Sequence, residues 1–306
     1  MLTRCLGDTI AVAPLWDVYQ KHTKEDCIVT TKHRELFEQI YPNLIFQDFA
    51  TEVPNATKTL DLDSVWAFDR PLQLGFWEPF NLSIPYKEIR PTVKLSKASR
   101  VIQEKYVCIA SHSSIQGKYW NNPQGWNVIV QNLKHLGYRV LSIDQYKVFG
   151  VEGHWNEIPS GSEDFTGKSL TDVIALLEHC EFFIGLTSGL SWLAHAVGKH
   201  VVMIAGITHQ WCEFTIDITR INNEKVCHGC FNEPATTRFE HNNWMWCPKK
   251  LNTPEEFICT KSIDPYIVWQ RIIDAGILTG ILNENRSIDR RAPRQMFNFA
   301  NQTRTN

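Results

Sequence analysis

Four cysteines fall within one short stretch of this chain: Cys227 and Cys230 form a C-x2-C pair, Cys247 follows seventeen positions later, and Cys259 twelve beyond that. Four thiolates at such spacing suit a closed tetrahedral site for zinc or a single iron. A fully sulfur-ligated ion keeps no open position, so the expected role is structural. His228 and His241 are alternative ligands whose spacing does not improve on the four cysteines. The remaining five of the nine cysteines, Cys5, Cys27, Cys108, Cys180 and Cys212, are scattered in mostly apolar surroundings and read as buried thiols. An odd total, with Asp8 where a secretory signal would have its apolar core, gives the expectation of a reducing cytoplasm rather than a disulfide framework.

Three further patterns could carry chemistry. The loop Gly185-Leu186-Thr187-Ser188-Gly189-Leu190 lies between a strand-like and a helix-like run. Its small residues let backbone approach a ligand, and free N–H groups at a helix start attract phosphate. It lacks the Lys-Ser/Thr ending of a nucleotide-hydrolase P-loop, and a tight turn that needs glycine would look the same. Lys118, in Gln116-Gly117-Lys118-Tyr119-Trp120, could neutralise phosphate as a point charge or be a solvated surface lysine. Asp8, in Leu6-Gly7-Asp8-Thr9-Ile10 before an apolar helix, could act as a general base; its residue type alone favours an N-cap.

The elements that must hold these residues alternate between strand and helix, the pattern of an α/β protein with parallel sheets. In the first hundred residues, helices are expected over Leu15–His22 and Arg34–Ile40, with strands over Cys27–Thr31 and Leu44–Gln47. The Pro-, Trp- and Phe-rich stretch 51–91 has weaker periodicity, and Ser96–Arg100 reads as an interdomain linker. Farther along, strands are expected over Tyr106–Ser111, Arg139–Ile143, Phe182–Leu186 and His200–Ala205. Helices are expected over Trp126–Leu136, Ser169–His179, Leu190–Val197 and Asp264–Leu278. This half reads as a doubly wound domain whose ligand sits at the carboxyl ends of the strands.

Composition narrows the classes. With 306 residues, 43% apolar and 21% charged, the chain can bury sizeable cores in two domains. No apolar run approaches the ~18 residues of a membrane span. The net charge of −2 predicts no polyanion partner for the chain as a whole. It hides a basic tail, however: from Arg286 to Arg304, five arginines stand against Asp289 alone.

Several segments together resemble the bacterial autotransporter heptosyltransferases, relatives of the lipopolysaccharide heptosyltransferases. They are residues 182–206 (FFIGLTSGLSWLAHAVGKHVVMIAG), 106–122 (YVCIASHSSIQGKYWNN), 161–167 (GSEDFTG), and VCHGC, WMWCP and FICTKSI around the four cysteines. The likeness is close over 104–265 and looser over 6–50. It implies an α/β GT-B glycosyltransferase: residues 1–100 as a first Rossmann-like, acceptor-side domain with a truncated start, and 101–283 as the nucleotide-sugar domain. The metal site falls within 227–259, and 284–306 forms the basic tail. It also implies an ADP-heptose donor, a protein Ser or Thr acceptor, and iron held by Cys227, Cys230, Cys247 and Cys259. By the same resemblance Asp8 is the catalytic base, Lys118 the donor-phosphate lysine, and Thr187, Ser188, Gly189 and Leu190 the diphosphate loop. Family members carry a sizeable region before the Gly-Asp motif, including the first Rossmann strand, which helps build a ring-shaped oligomer. Here six residues precede Gly7.

The expected reaction is an inverting sugar transfer to a protein hydroxyl. The basic tail motivates a second acceptor, a hydroxymethylated base in DNA. A third expectation, from a different class, is a non-catalytic metal-containing binding module on a Rossmann scaffold.

Overall fold

The computed structural model describes residues 1–278, apart from 4, 50, 63–67, 95–98 and 241. The basic tail, His241 and residues 96–98 of the expected linker lie outside the described residues.

The chain opens with β1 (Leu2–Thr3), α1 (Leu6–Thr23), β2 (Ile28–Thr31) and β3 (Ile45–Asp48). These strands make a parallel sheet in the order β1-β2-β3, with Leu2 opposite Thr30 and Ile28 opposite Ile45. The strand ahead of the Gly-Asp motif is thus present, as two residues. The helix expected from Leu15 begins nine residues earlier and runs through Pro14. A proline inside a helix removes one internal hydrogen bond and reads as a breaker. Here every residue from Thr9 to Trp16 is buried, so packing on all sides holds the helix where propensity does not. The helix expected over Arg34–Ile40 shrinks to a 3-10 turn at Arg34–Leu36. The short helix α2 (Leu72–Trp77) follows.

The second sheet contains β4 (Tyr106–Ile109), β5 (Arg139–Ser142), β8 (Glu163–Asp164), β9 (Phe183–Leu186), β10 (Val201–Ile204) and β11 (Ile218–Ile221); β6 (Val148–Val151) and β7 (His154–Glu157) form a separate antiparallel hairpin. The order β11-β10-β9-β4-β5-β8 is parallel throughout. The chain therefore builds outward from β4 on one side, returns beside it as β9, and builds outward on the other. Such a reversal opens a crevice at the carboxyl ends of the two central strands. The hairpin and β11 were not legible, because their short, partly polar runs lack the continuous burial of the central strands.

Crossings are made by α3 (Gly125–His135), α4 (Leu170–His179) and α5 (Gly189–Ala196); α6 (Ile258–Lys261) and α7 (Pro265–Asp274) close the described chain. Two helix starts are fixed by side-chain caps: Ser169 accepts from the Asp172 N–H at 3.1 Å, and Asp264 from the Tyr266 N–H at 2.7 Å. Along β4 the side chains alternate between two cores. Tyr106 and Cys108 join a cluster that continues through Phe183, Trp192 and Phe214 to Ile10 and Trp16 of α1. Val107 and Ile109 join Ile184, Val202 and Ile204 against α3 and α7 on the other face. The first core is continuous from one sheet to the other and fixes α1 against α5.

His195 of α5 is fully buried, its ring stacked on Phe214 at 3.9 Å with neither nitrogen hydrogen-bonded. Burial, with the Arg90 charge adding, pushes its pKa down to about 4. The unfolded imidazole takes up a proton near pH ~6.5 while the folded one does not. This contribution to stability is therefore complete above that value and falls as the pH drops toward 4, by at most about 1.4 kcal/mol per unit. Urea unfolding at pH 7.5 and 5.0 should show a shallower acid loss for His195→Phe than for the wild type. An identical loss in the two proteins would contradict the assignment.

Candidate active site

The loop after β9 and the start of α1 meet at the crevice. A Cβ placed on Gly7 would lie 3.3 Å from the Gly189 Cα, and one on Gly189 would lie 3.2 Å from the Gly7 nitrogen. The N-termini of α1 and α5 thus touch through two glycines, closer than side chains would allow. Each brings first-turn N–H groups with no partner inside its helix, together with the positive end of its dipole. Ser188 is the N-cap of α5 but makes no side-chain cap, and its buried hydroxyl has no hydrogen-bond partner among the described residues. Asp8 is not the N-cap of α1. Cys5 holds that position, so Asp8 stands half-buried in the first turn, and the capping role does not apply.

Lys118 arrives from β4 on the 3-10 turn Gln116–Lys118. Asp8, Lys118, Thr187, Ser188 and Gly189 line one pocket. Leu190 lines the adjoining pocket, which shares Leu6, Ser113, Ser188 and Gly189 with the first. Residues separated by up to 182 positions are brought together at the switch point, on the side where the strands end.

Several residues of this crevice were not singled out from sequence. The turn Ser111–Ser114 follows β4, and the buried Ser113 hydroxyl has no partner. Asp144, two residues past β5, holds that turn: Oδ2 accepts from the Ser111 N–H and hydroxyl at 2.9 and 3.2 Å, and Oδ1 from the His112 N–H at 3.0 Å. Burial pushes the Asp144 carboxyl up, while the neighbouring His112 and these hydrogen bonds pull it down. Glu213 lines the first pocket as half of a buried ion pair with Arg220, whose Nη2 also donates to Thr208 Oγ1 at 2.6 Å. The available sequence signals were an acid closely following a strand and small hydroxyls just past another, too common to single out alone.

The four clustered cysteines all line one small pocket. Among the described residues no group of three or more His, Cys, Asp or Glu side chains is drawn together tightly enough to hold a metal ion. Burial, and then repulsion from neighbouring sulfurs, pushes Cys230 and Cys259 up to about 12, which disfavours thiolates unless a cation compensates them. Gly229, at φ +70°, makes the turn of the C-x2-C pair, and Gly206 lets Cys259 approach the end of β10. Of the other five cysteines, Cys27, Cys108, Cys180 and Cys212 are buried as expected. Cys5 is exposed at the start of α1, contrary to its reading as a core thiol.

The cysteine-bearing segment is fastened to the Lys118 turn. Gln116 N–H donates to the Trp244 carbonyl at 2.9 Å, Asn121 Nδ2 to Thr260 Oγ1 at 2.9 Å, and Trp120 Nε1 to the Ile263 carbonyl at 3.0 Å.

Comparison with known proteins gives the chain a family. Residues 15–243 match glycosyltransferase family 9 (heptosyltransferase). The autotransporter heptosyltransferase TibC of Escherichia coli H10407 is 44% identical over 296 residues, 92% of this chain and 69% of TibC. BAHTCr, an autotransporter heptosyltransferase of Citrobacter rodentium, is 37% identical over 275 residues, 85% of this chain and 66% of BAHTCr. The crystal structure of dodecameric, iron-containing TibC with ADP-D-β-D-heptose superposes with a TM-score of 0.80 and 34% identity, covering 88% of this chain and 73% of that one. The chain spans about two thirds of the length of these curated relatives. It belongs to glycosyltransferase family 9, the heptosyltransferases, and has their α/β GT-B fold.

The close approach at Gly117 makes the fastening testable. A Cβ there would sit 2.9 Å from the Trp246 carbonyl oxygen, a backbone atom that cannot rotate away. Gly117→Ala should lower stability by about 1–3 kcal/mol in urea unfolding, as overpacking does. Ser114→Ala, at an exposed neighbour, should leave it nearly unchanged; equal stabilities for the two variants would contradict the geometry.

Proposed function

We propose that this chain is an inverting glycosyltransferase that moves heptose from ADP-heptose to a Ser or Thr hydroxyl of an autotransporter protein. The observation that carries the reading is the single pocket at the switch point, where Asp8 and Lys118 flank two converging helix N-termini. The names of the relatives supply the donor and acceptor class.

In this mechanism Asp8 accepts the proton of the acceptor hydroxyl while its oxygen attacks the anomeric carbon from the face opposite the leaving group. The bond from that carbon to the phosphate oxygen breaks, and the diphosphate leaves with the electron pair. Its growing negative charge is met by the first N–H groups of α5, by the Ser188 hydroxyl and by the Lys118 ammonium. These groups are fixed in place before the charge develops. Thr187 and Leu190 shape the loop on either side.

Cys227, Cys230, Cys247 and Cys259 would hold one ion, iron by analogy with TibC, with zinc meeting the same ligand chemistry. Bound there, the ion supplies a cross-link within the insertion that steadies the Lys118 turn. A protein acceptor is favoured over DNA by the relatives, which are named autotransporter heptosyltransferases. Among the described residues no helix is long and apolar enough to cross a membrane.

Asp8→Asn should lower the rate of ADP release from ADP-heptose in the presence of acceptor by about 10²–10⁴-fold, the usual range for a lost general base. Calorimetry should find its donor affinity within about twofold of wild type, because the substitution leaves the diphosphate contacts intact. Wild-type turnover in the variant would refute the role of Asp8. For the cysteines, elemental analysis of Cys247→Ser should show metal content well below one ion per chain, with a lowered melting temperature. Full metal occupancy in that variant would remove Cys247 from the ligand set.

A further inference from the structure

We propose that His112 holds the ribose of the donor nucleotide and makes the site select ribonucleotides over deoxyribonucleotides. The inference rests on the nucleotide-sugar reading above and assigns a residue to a part of the donor that the reading leaves without one.

In doubly wound nucleotide-binding domains, an acid following the second strand commonly takes the ribose hydroxyls. Asp144 stands at the corresponding place here, just beyond β5. Both of its oxygens are engaged by the turn after β4: Oδ2 by Ser111 and Oδ1 by the His112 N–H. The side chain of His112 lines the adjoining pocket with Asp144, Tyr146 and Phe149. It is 8% exposed, and neither Nδ1 nor Nε2 has a hydrogen-bond partner among the described residues. A buried polar group left unpaired costs free energy, and native proteins rarely keep one beside a pocket without use for it.

The ring is oriented by its neighbours. Tyr119 lies 5.8 Å from it at 34° and Phe149 6.4 Å at 36°, so two aromatic side chains pack beside the imidazole. The two ring nitrogens of an imidazole can present one donor and one acceptor. That pair matches a sugar hydroxyl, which both gives and takes a hydrogen bond. Diphosphate oxygens only accept, and the helix N-termini and Lys118 already meet them on the other side of Ser188. The shared wall of Leu6, Ser113, Ser188 and Gly189 places the two pockets next to each other, as a diphosphate and its ribose must be.

Calorimetry with ADP, 2′-deoxy-ADP, 3′-deoxy-ADP and inorganic diphosphate tests the assignment on the full chain. Wild type should bind ADP about tenfold or more tighter than at least one of the deoxy analogues, the scale of discrimination given by a buried polar group losing its partner. His112→Phe keeps an aromatic ring in the same slot; its ADP affinity should fall to that of the deoxy analogue, bringing the ratio to about one, with diphosphate affinity unchanged. His112→Gln, which restores a donor and an acceptor, should recover part of the ratio and guards against a folding defect in the first variant. A wild-type ratio retained in His112→Phe, an equal loss of diphosphate affinity, or no discrimination by the wild type would each overturn the role of His112. Failure of the wild type to bind any of the three nucleotides would instead overturn the donor reading itself.

Discussion

The contact on which this site depends is the approach of two helix N-termini, α1 and α5, through Gly7 and Gly189. Each terminus carries N–H groups with no partner inside its own helix and a partial positive charge, and two of them facing one another would repel in the absence of an anion. The arrangement is held by the large apolar cluster that runs from Ile10 and Trp16 to Phe183 and Trp192. Hydrophobic packing thus keeps two positive helix ends side by side. The favourable occupant of such a place is a group bearing several negative charges, which is what a nucleotide diphosphate offers.

The second constraint comes from the opposite side. Lys118 rides on a turn between β4 and α3, and that turn is tied by backbone and side-chain hydrogen bonds to the cysteine-bearing segment. Four sulfurs lining one small pocket would repel as thiolates, and a cation would relieve that repulsion. An ion there would act on the reaction through geometry, by fixing where the lysine turn sits. The buried Glu213–Arg220 pair brings a carboxylate to the same pocket with its charge compensated.

The six-stranded half was largely legible in the sequence because fully buried parallel strands read as apolar runs bounded by glycines. The expected central strands and their crossing helices differ from the observed ones by one or two residues at most ends. The first half was less legible. Pro14 hid the first half of α1, and only tertiary packing around residues 9–16 reveals why the helix passes through it. Asp8 illustrates the same limit: its residue type favoured a cap, whereas its place is set by Cys5 three positions earlier. The loop 187–190, Lys118 and the four cysteines were legible as motifs. His112, Asp144 and Glu213 were not, since their meaning lies in partners brought from other strands: the carboxylate of Asp144 reaches back to a turn more than thirty positions away.

In the proposed reading, two helix ends form a diphosphate seat, Asp8 stands beside it, and the chain transfers the sugar of a nucleotide donor to a hydroxyl. Intact-mass and peptide mass spectrometry of an autotransporter passenger incubated with the chain and ADP-heptose measures this directly. The account predicts addition of whole heptose residues at Ser or Thr, with one ADP released for each. A passenger whose mass stays unchanged while the chain binds ADP-heptose would contradict it.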